Sequence, residues 1–114
     1  MPQIYYNPSC SKCRSALSIL DEHGVTAEVV RYLDQVPTRE DLEQLMRQLE
    51  IDDPRLMMRT GEPSYSELGL NDDSSREELL DAIVTRPILL ERPIFVVDGR
   101  AVIGRPPERV LDLL

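Results

Sequence analysis

The sequence predicts an α/β fold with a β-α-β unit at its start, a β-β-α unit at its end and helices between them. Three observations carry that expectation. Two short β-rich segments flank a helix with i, i+3, i+4 apolar spacing in the first 33 residues. The middle of the chain has helical stripes and no β-rich run. Near the end, Asp98-Gly99 joins two apolar segments, a two-residue hairpin signal. At 114 residues the chain is long enough for one domain around one core. The expected organisation is a single domain, 1–114, with a helical insertion at about 37–86.

Taken in order, Ile4-Tyr5-Tyr6 reads as a strand cut off by Asn7-Pro8. The first helix follows, with Cys13, Ala16, Leu17 and Leu20 on one stripe and Gly24 suited to its C-terminal cap. Thr26 to Leu33 reads as a second strand, parallel to the first because a helix connects them. Pro37-Thr38 opens a helix with Leu42, Leu45, Met46 and Leu49 inward. A short helix is expected around Pro54 to Met58. Another follows Ser75, where Glu78 completes a capping box and Leu79, Leu80 and Ile83 face inward. Pro93 to Val97 and Arg100 to Ile103 are the hairpin strands. Pro107 begins a last helix carrying Val110, Leu111, Leu113 and Leu114. This is the element order of a thioredoxin-like, or glutaredoxin-like, core with a helical insertion between the second and third strands.

The formal net charge is −8, from 13 basic and 21 acidic residues. A nucleic-acid surface needs a basic face, and base stacking needs aromatics, yet the chain has no Trp and one Phe. No apolar run is long enough to cross a bilayer, so no membrane role is expected. The first residues have neither a basic n-region nor an apolar h-region. Two cysteines three positions apart do not make the disulfide framework of a small secreted protein. The expected location is the cytoplasm, with reduced thiols.

Chemistry concentrates at Cys10-Ser11-Lys12-Cys13, a C-x-x-C between a strand and a helix. Cys10 falls at the helix N-terminus, where free N–H groups and the dipole favour a thiolate and can hold an anion. The helical spacing puts Cys13 on the core-facing stripe and leaves Cys10 pointing outward. Cys13 either packs as a small apolar residue or resolves an oxidised Cys10. A metal site lacks partners, because there are no other cysteines and His23, the only histidine, suits a helix C-terminal cap. Lys12 and Arg14 stand beside Cys10 and are candidates to lower its pKa. Arg92 and Arg105 each precede a proline, which holds them extended and fixes their direction. In a thioredoxin-like fold Pro93, entering the third strand, is the candidate cis proline facing the cysteine.

Several separated motifs occur together and in order: Tyr5 to Arg14, Arg59, Glu62 to Leu70, Arg86 to Val97, and Gly104-Arg105-Pro106-Pro107. The chain resembles the glutaredoxin-linked arsenate reductase (ArsC) family nearly end to end. It is most similar to a short arsenate-reductase-like branch ending in Ile-Gly-Arg-Pro-Pro. The resemblance implies Cys10 as the nucleophile and Arg59, Arg92 and Arg105 as oxyanion-binding residues. Arg86 matches no family arginine and is left as a surface residue. The chemistry is consistent: arginine keeps its charge and offers a planar fork of donors to a tetrahedral oxyanion. Two positions depart from the family pattern. Tyr6 stands where a histidine is common, and Cys13 where a serine is usual.

The implied activity is arsenate reduction. The Cys10 thiolate attacks arsenate, glutathione attacks the adduct, arsenite leaves, and glutaredoxin or Cys13 restores the thiol. No cofactor is expected to be bound; glutathione is a co-substrate, and arsenate (or a similar small oxyanion), glutathione and glutaredoxin are the partners. Two alternatives stay open. One is a thiol–disulfide or glutathione-linked oxidoreductase with no arsenate role. The other is a redox-sensing transcription regulator of the Spx type, with Cys10 and Cys13 as its switch and RNA polymerase as its partner.

Overall fold

A computed structural model describes all 114 residues. The chain divides into two compact units, one formed by Met1–Gln35 with Arg92–Leu114 and the other by Val36–Glu91. The insertion expected at about 37–86 lies inside the second unit.

The first unit holds a four-stranded sheet, β1 (Gln3–Tyr5), β2 (Glu28–Val30), β3 (Ile94–Val97) and β4 (Arg100–Ile103), in the order β2-β1-β3-β4. β1 pairs in parallel with β2 and antiparallel with β3, and β3 pairs antiparallel with β4. The parallel pair is connected by helix α1 (Ser11–Glu22), as a crossover requires. Between β3 and β4, Asp98 and Gly99 both adopt positive φ, 51° and 75°, the geometry of a two-residue turn matching strand twist. Ile4, Ala16, Leu20, Phe95, Val102 and Val110 form the core, one apolar face of the sheet against α1 and the C-terminal turn. That face follows from alternation: Ile4 stands opposite Phe95, and Phe95 opposite Val102.

β2 covers three residues, not the eight from Thr26 to Leu33. It is an edge strand whose only partner, β1, is itself three residues long. Beyond Val30 the chain turns, with the Asp34 and Gln35 N–H groups donating to the Arg31 carbonyl. The closing segment Pro107–Leu113 is a 3₁₀ helix and not an α-helix. It buries Val110, and Pro107 opens it as expected.

The second unit is helical. α2 (Arg39–Leu49) begins at a capping box in which Thr38 and Asp41 satisfy each other's backbone N–H. α3 (Pro63–Glu67) is a single short helix that the sequence reading did not foresee, although Pro63 holds the first-turn position proline prefers. α4 (Arg76–Thr85) is capped by Ser75 through the Glu78 N–H. Two 3₁₀ turns, Pro54–Met57 and Pro87–Leu89, complete it. Leu42, Leu45, Leu79, Leu80, Ile83 and Leu89 are its fully buried centre. An isolated antiparallel bridge joins Met58 to Leu90. No helix in the chain is long and apolar enough to cross a membrane.

Candidate active site

Strand register brings the site together. Tyr5 at the end of β1 stands opposite Ile94, and Ile94 opposite Ile103. The segments just beyond these residues therefore meet at one end of the sheet: the loop from Tyr6 to Cys10, the Arg92-Pro93 entry to β3, and the Gly104-Arg105 exit from β4. Both X-Pro bonds at this end, Arg92–Pro93 and Arg105–Pro106, are cis. Gly104 is buried here, and its N–H donates to the Pro93 carbonyl at 2.8 Å. A Cβ on Gly104 would fall 2.8 Å from the Pro93 ring, so only glycine fits.

The loop before α1 is tightly pinned. Asn7 is 7 % exposed. Its Oδ1 accepts from the Ser9 N–H at 3.0 Å, and its carbonyl accepts from the Cys10 N–H at 2.9 Å. Arg14 Nη1 donates to the Pro8 carbonyl at 2.7 Å. Cys10 is then the N-cap residue of α1, extended at φ −95° and ψ 118°. Asn7 was not among the residues singled out from sequence; an asparagine before proline, able to form its own side-chain turn, was the available signal.

Both cysteines are free thiols. Burial alone would raise the Cys10 pKa, but hydrogen bonds outweigh it and hold the thiol below its ordinary value of 9.0. They come from the Cys13 backbone N–H, the Cys13 thiol, Arg92 and the Lys12 backbone N–H, in that order of effect. The sulfur makes no short side-chain cap bond; it sits over the helix end as a charge would. Arg105 Nη2 lies 3.9 Å from Cys10 Sγ, while its Nε donates to the Arg92 carbonyl at 2.8 Å. The Arg92 side chain is buried at Nε and Nη1, and neither nitrogen meets a hydrogen-bond partner. Cys13 is fully buried. Burial pushes its thiol up to about 12, against a lowering hydrogen bond from the Asn7 N–H, with the hydrogen bond and charge of Cys10 raising it further.

The structure corrects two expectations at this site. Cys10 does not point outward. It is only 9 % exposed, because it is flanked by the first turn of α1 and the two arginines. Lys12 and Arg14 are both exposed, and the hydrogen bonds that hold the Cys10 thiol below its ordinary value come from neither side chain. Lys12 acts through its backbone N–H, and Arg14 is spent on the Pro8 carbonyl. Arg14 also lines, with Tyr6, Leu17, Asp21 and Val29, a groove of about 570 Å³ between α1 and β2. His23 Nδ1 sits 2.9 Å from the Ile19 carbonyl, a helix-end contact as read. Arg86 is exposed and pairs with Ser64 and Glu67.

Cys10, Cys13, Arg92 and Arg105 thus come together within the first unit. Arg59 belongs to the second. There its N–H donates to the Leu89 carbonyl at 2.7 Å, and its guanidinium pairs with Glu62 and with Glu91 at 3.7 Å.

The chain as a whole also has counterparts among known proteins. Residues 5–113 match the ArsC family. An arsenate reductase of Neisseria meningitidis is 46 % identical over 117 residues, covering all of both chains. One from Haemophilus influenzae is 42 % identical over 97 % of each. The solved structure of an arsenate reductase from Vibrio cholerae superposes with a TM-score of 0.96 at 43 % identity, covering 99 % of this chain and 97 % of that one. Motifs spaced along the whole length, the thioredoxin-like topology and these full-length relatives agree: the chain belongs to the ArsC family.

Proposed function

We propose that the chain is an arsenate reductase. The observation that carries this reading is Arg92, a buried cation with two donor nitrogens left over beside a cysteine whose thiol is held below its ordinary value. Unused buried donors are costly, and a guanidinium left in that state is poised for an oxyanion. Arg105, at 3.9 Å from the sulfur, adds a second positive charge. Together they offset the repulsion between a thiolate and an arsenate dianion. The relatives named as arsenate reductases support the choice of arsenate among oxyanions.

In the proposed reaction, Cys10 Sγ attacks arsenic. The S–As bond forms, one arsenic oxygen leaves as water, and arsenic stays at +5. A second thiol then attacks Cys10 Sγ. An S–S bond forms, the S–As bond breaks with its electron pair moving to arsenic, and arsenite departs. Glutathione and glutaredoxin are the proposed source of electrons, in the cytoplasm, with no bound cofactor. Arg59 is proposed as a further oxyanion ligand, and Arg59→Gln should then raise KM for arsenate more than it lowers kcat.

Purified protein with glutathione, glutaredoxin and glutaredoxin's own NADPH-linked reductant should consume NADPH only when arsenate is added, releasing one arsenite per NADPH. Cys10→Ser should abolish this. Arsenate-dependent turnover no greater than that of Cys10→Ser would overturn the reading. Faster turnover of a glutathione mixed disulfide than of arsenate would favour a thiol–disulfide oxidoreductase.

A further inference from the structure

The chain has two cysteines, and both sit in one helical turn. Cys10 is the N-cap of α1 and Cys13 its third residue, a spacing that puts two side chains on the same face. The Cys13 thiol hydrogen-bonds the Cys10 sulfur. No other thiol in the chain is available to that sulfur, and Cys13 is fully buried.

Resting on the arsenate-reductase reading, we propose that Cys13 is the thiol that attacks Cys10 Sγ in the arsenate adduct, so that the first turn of α1 resolves its own intermediate. The step balances. A Cys10–S–AsO₃H⁻ adduct and the Cys13 thiol give a Cys10–Cys13 disulfide and H₂AsO₃⁻. The S–S bond forms, the S–As bond breaks, two electrons reduce arsenic from +5 to +3, and the Cys13 proton leaves on arsenite. An external thiol then acts only afterwards, on the disulfide.

The surroundings of Cys13 give this step its timing. In the resting site three influences keep Cys13 protonated: burial, the hydrogen bond to Cys10 and the charge of the Cys10 thiolate. Forming the adduct takes away the thiolate, and with it the last two. The Asn7 N–H and the Arg92 charge, which both favour a Cys13 thiolate, remain. Burial, the largest of the three, persists in the adduct, so Cys13 is held back most strongly while Cys10 is the nucleophile and less strongly once Cys10 has reacted. In thiol–disulfide exchange the rate depends on the thiolate fraction of the attacking thiol and on its access, and both differ between these two cysteines.

The test is a single turnover. Reduced protein, freed of all small thiols under anaerobic conditions, is mixed with arsenate, and arsenite, free thiols in denaturant and intact mass are read. The expected result is one arsenite per chain, loss of both free thiols and a mass about 2 Da lower, as a disulfide requires. The same protein without arsenate keeps both thiols. Cys13→Ser and Cys13→Ala should release less than about a tenth as much arsenite until glutathione is added, as expected when the attacking thiol is lost. Rescue by glutathione shows that the variants are folded and that Cys10 still reacts. If wild type releases no arsenite without an added thiol, yet turns over with glutathione as fast as Cys13→Ser, the proposal fails and the arsenate-reductase reading stands. If no arm with glutathione yields arsenite, that reading fails too and takes the proposal with it.

Discussion

Arg92 hydrogen-bonds the Cys10 sulfur from a buried position, so removing its charge should be felt directly in the thiol's titration. Hydrogen bonds to charged groups contribute about 1.5–3 kcal/mol, equivalent to about 1–2 pH units. Arg92→Gln should therefore raise the midpoint of Cys10 alkylation by about that amount, read from iodoacetamide rates against pH. An unchanged midpoint would show that the helix N–H groups suffice. The two cysteines also pull stability in opposite directions. Cys10 is held below 9.0 when folded, so the unfolded chain binds more protons between the folded and unfolded values. That contribution rises with pH up to about 9.0 and is lost as pH falls through the folded value. Cys13, pushed up to about 12, keeps its proton when folded but loses it near 9.0 when unfolded. Stability should fall as pH rises from 9.0 toward 12, and Cys13→Ala should flatten that decline in denaturation midpoints.

At the scale of elements, Gly104 sits where β4 ends and must pass within reach of the Pro93 ring. Gly104→Ala would force the two apart, an overpacking cost of about 1–3 kcal/mol. Because Gly104 also donates to the Pro93 carbonyl, the same change should loosen Arg105 and raise the Cys10 midpoint, whereas a purely global loss of stability would leave that midpoint in place. Thr38→Ala, removing one half of the α2 capping box, should cost about 1 kcal/mol in urea denaturation and leave the Cys10 midpoint untouched. Elements were legible where local chemistry decides them. The helix start at Thr38 and the Asp98-Gly99 turn are short-range signals, and both formed as read. Ser75 caps α4, but the Glu78 carboxylate accepts from the Ser75 hydroxyl and not from its backbone N–H, so the expected capping box is only half formed. β2 was overdrawn because strand length depends on the partner, and its partner β1 has three residues. α3, only five residues long, offers too little periodicity to be seen.

For the whole molecule, the order of elements was enough to give the sheet. The site was only partly legible. The C-x-x-C at a helix start could be read from spacing, since its neighbours in sequence are its neighbours in space. Arg92 and Arg105 reach Cys10 through the registers Tyr5–Ile94 and Ile94–Ile103, which no local pattern encodes, and they were found by resemblance instead. The same non-local packing explains why Cys10 is 9 % exposed when its position before the first turn pointed it outward. Arg14 was misjudged for the opposite reason: proximity in sequence suggested the sulfur, but a nearer carbonyl, that of Pro8, takes its guanidinium.

The unit that holds the nucleophile is discontinuous, built from Met1–Gln35 and Arg92–Leu114 with Val36–Glu91 between them. During synthesis the cysteine emerges more than eighty residues ahead of its arginines. The central pairing of β1 with β3 spans that same gap, and closing so long a loop is slow compared with forming a helix. Until β3 and β4 dock, the cysteine has the helix end but not Arg92 or Arg105. Its full acidity is then a property of the finished chain, and a nascent or partly unfolded molecule carries a more ordinary thiol. Alkylation at neutral pH during refolding should accelerate in step with sheet formation rather than with the earlier rise in helix, so that the protein becomes reactive as it completes its fold.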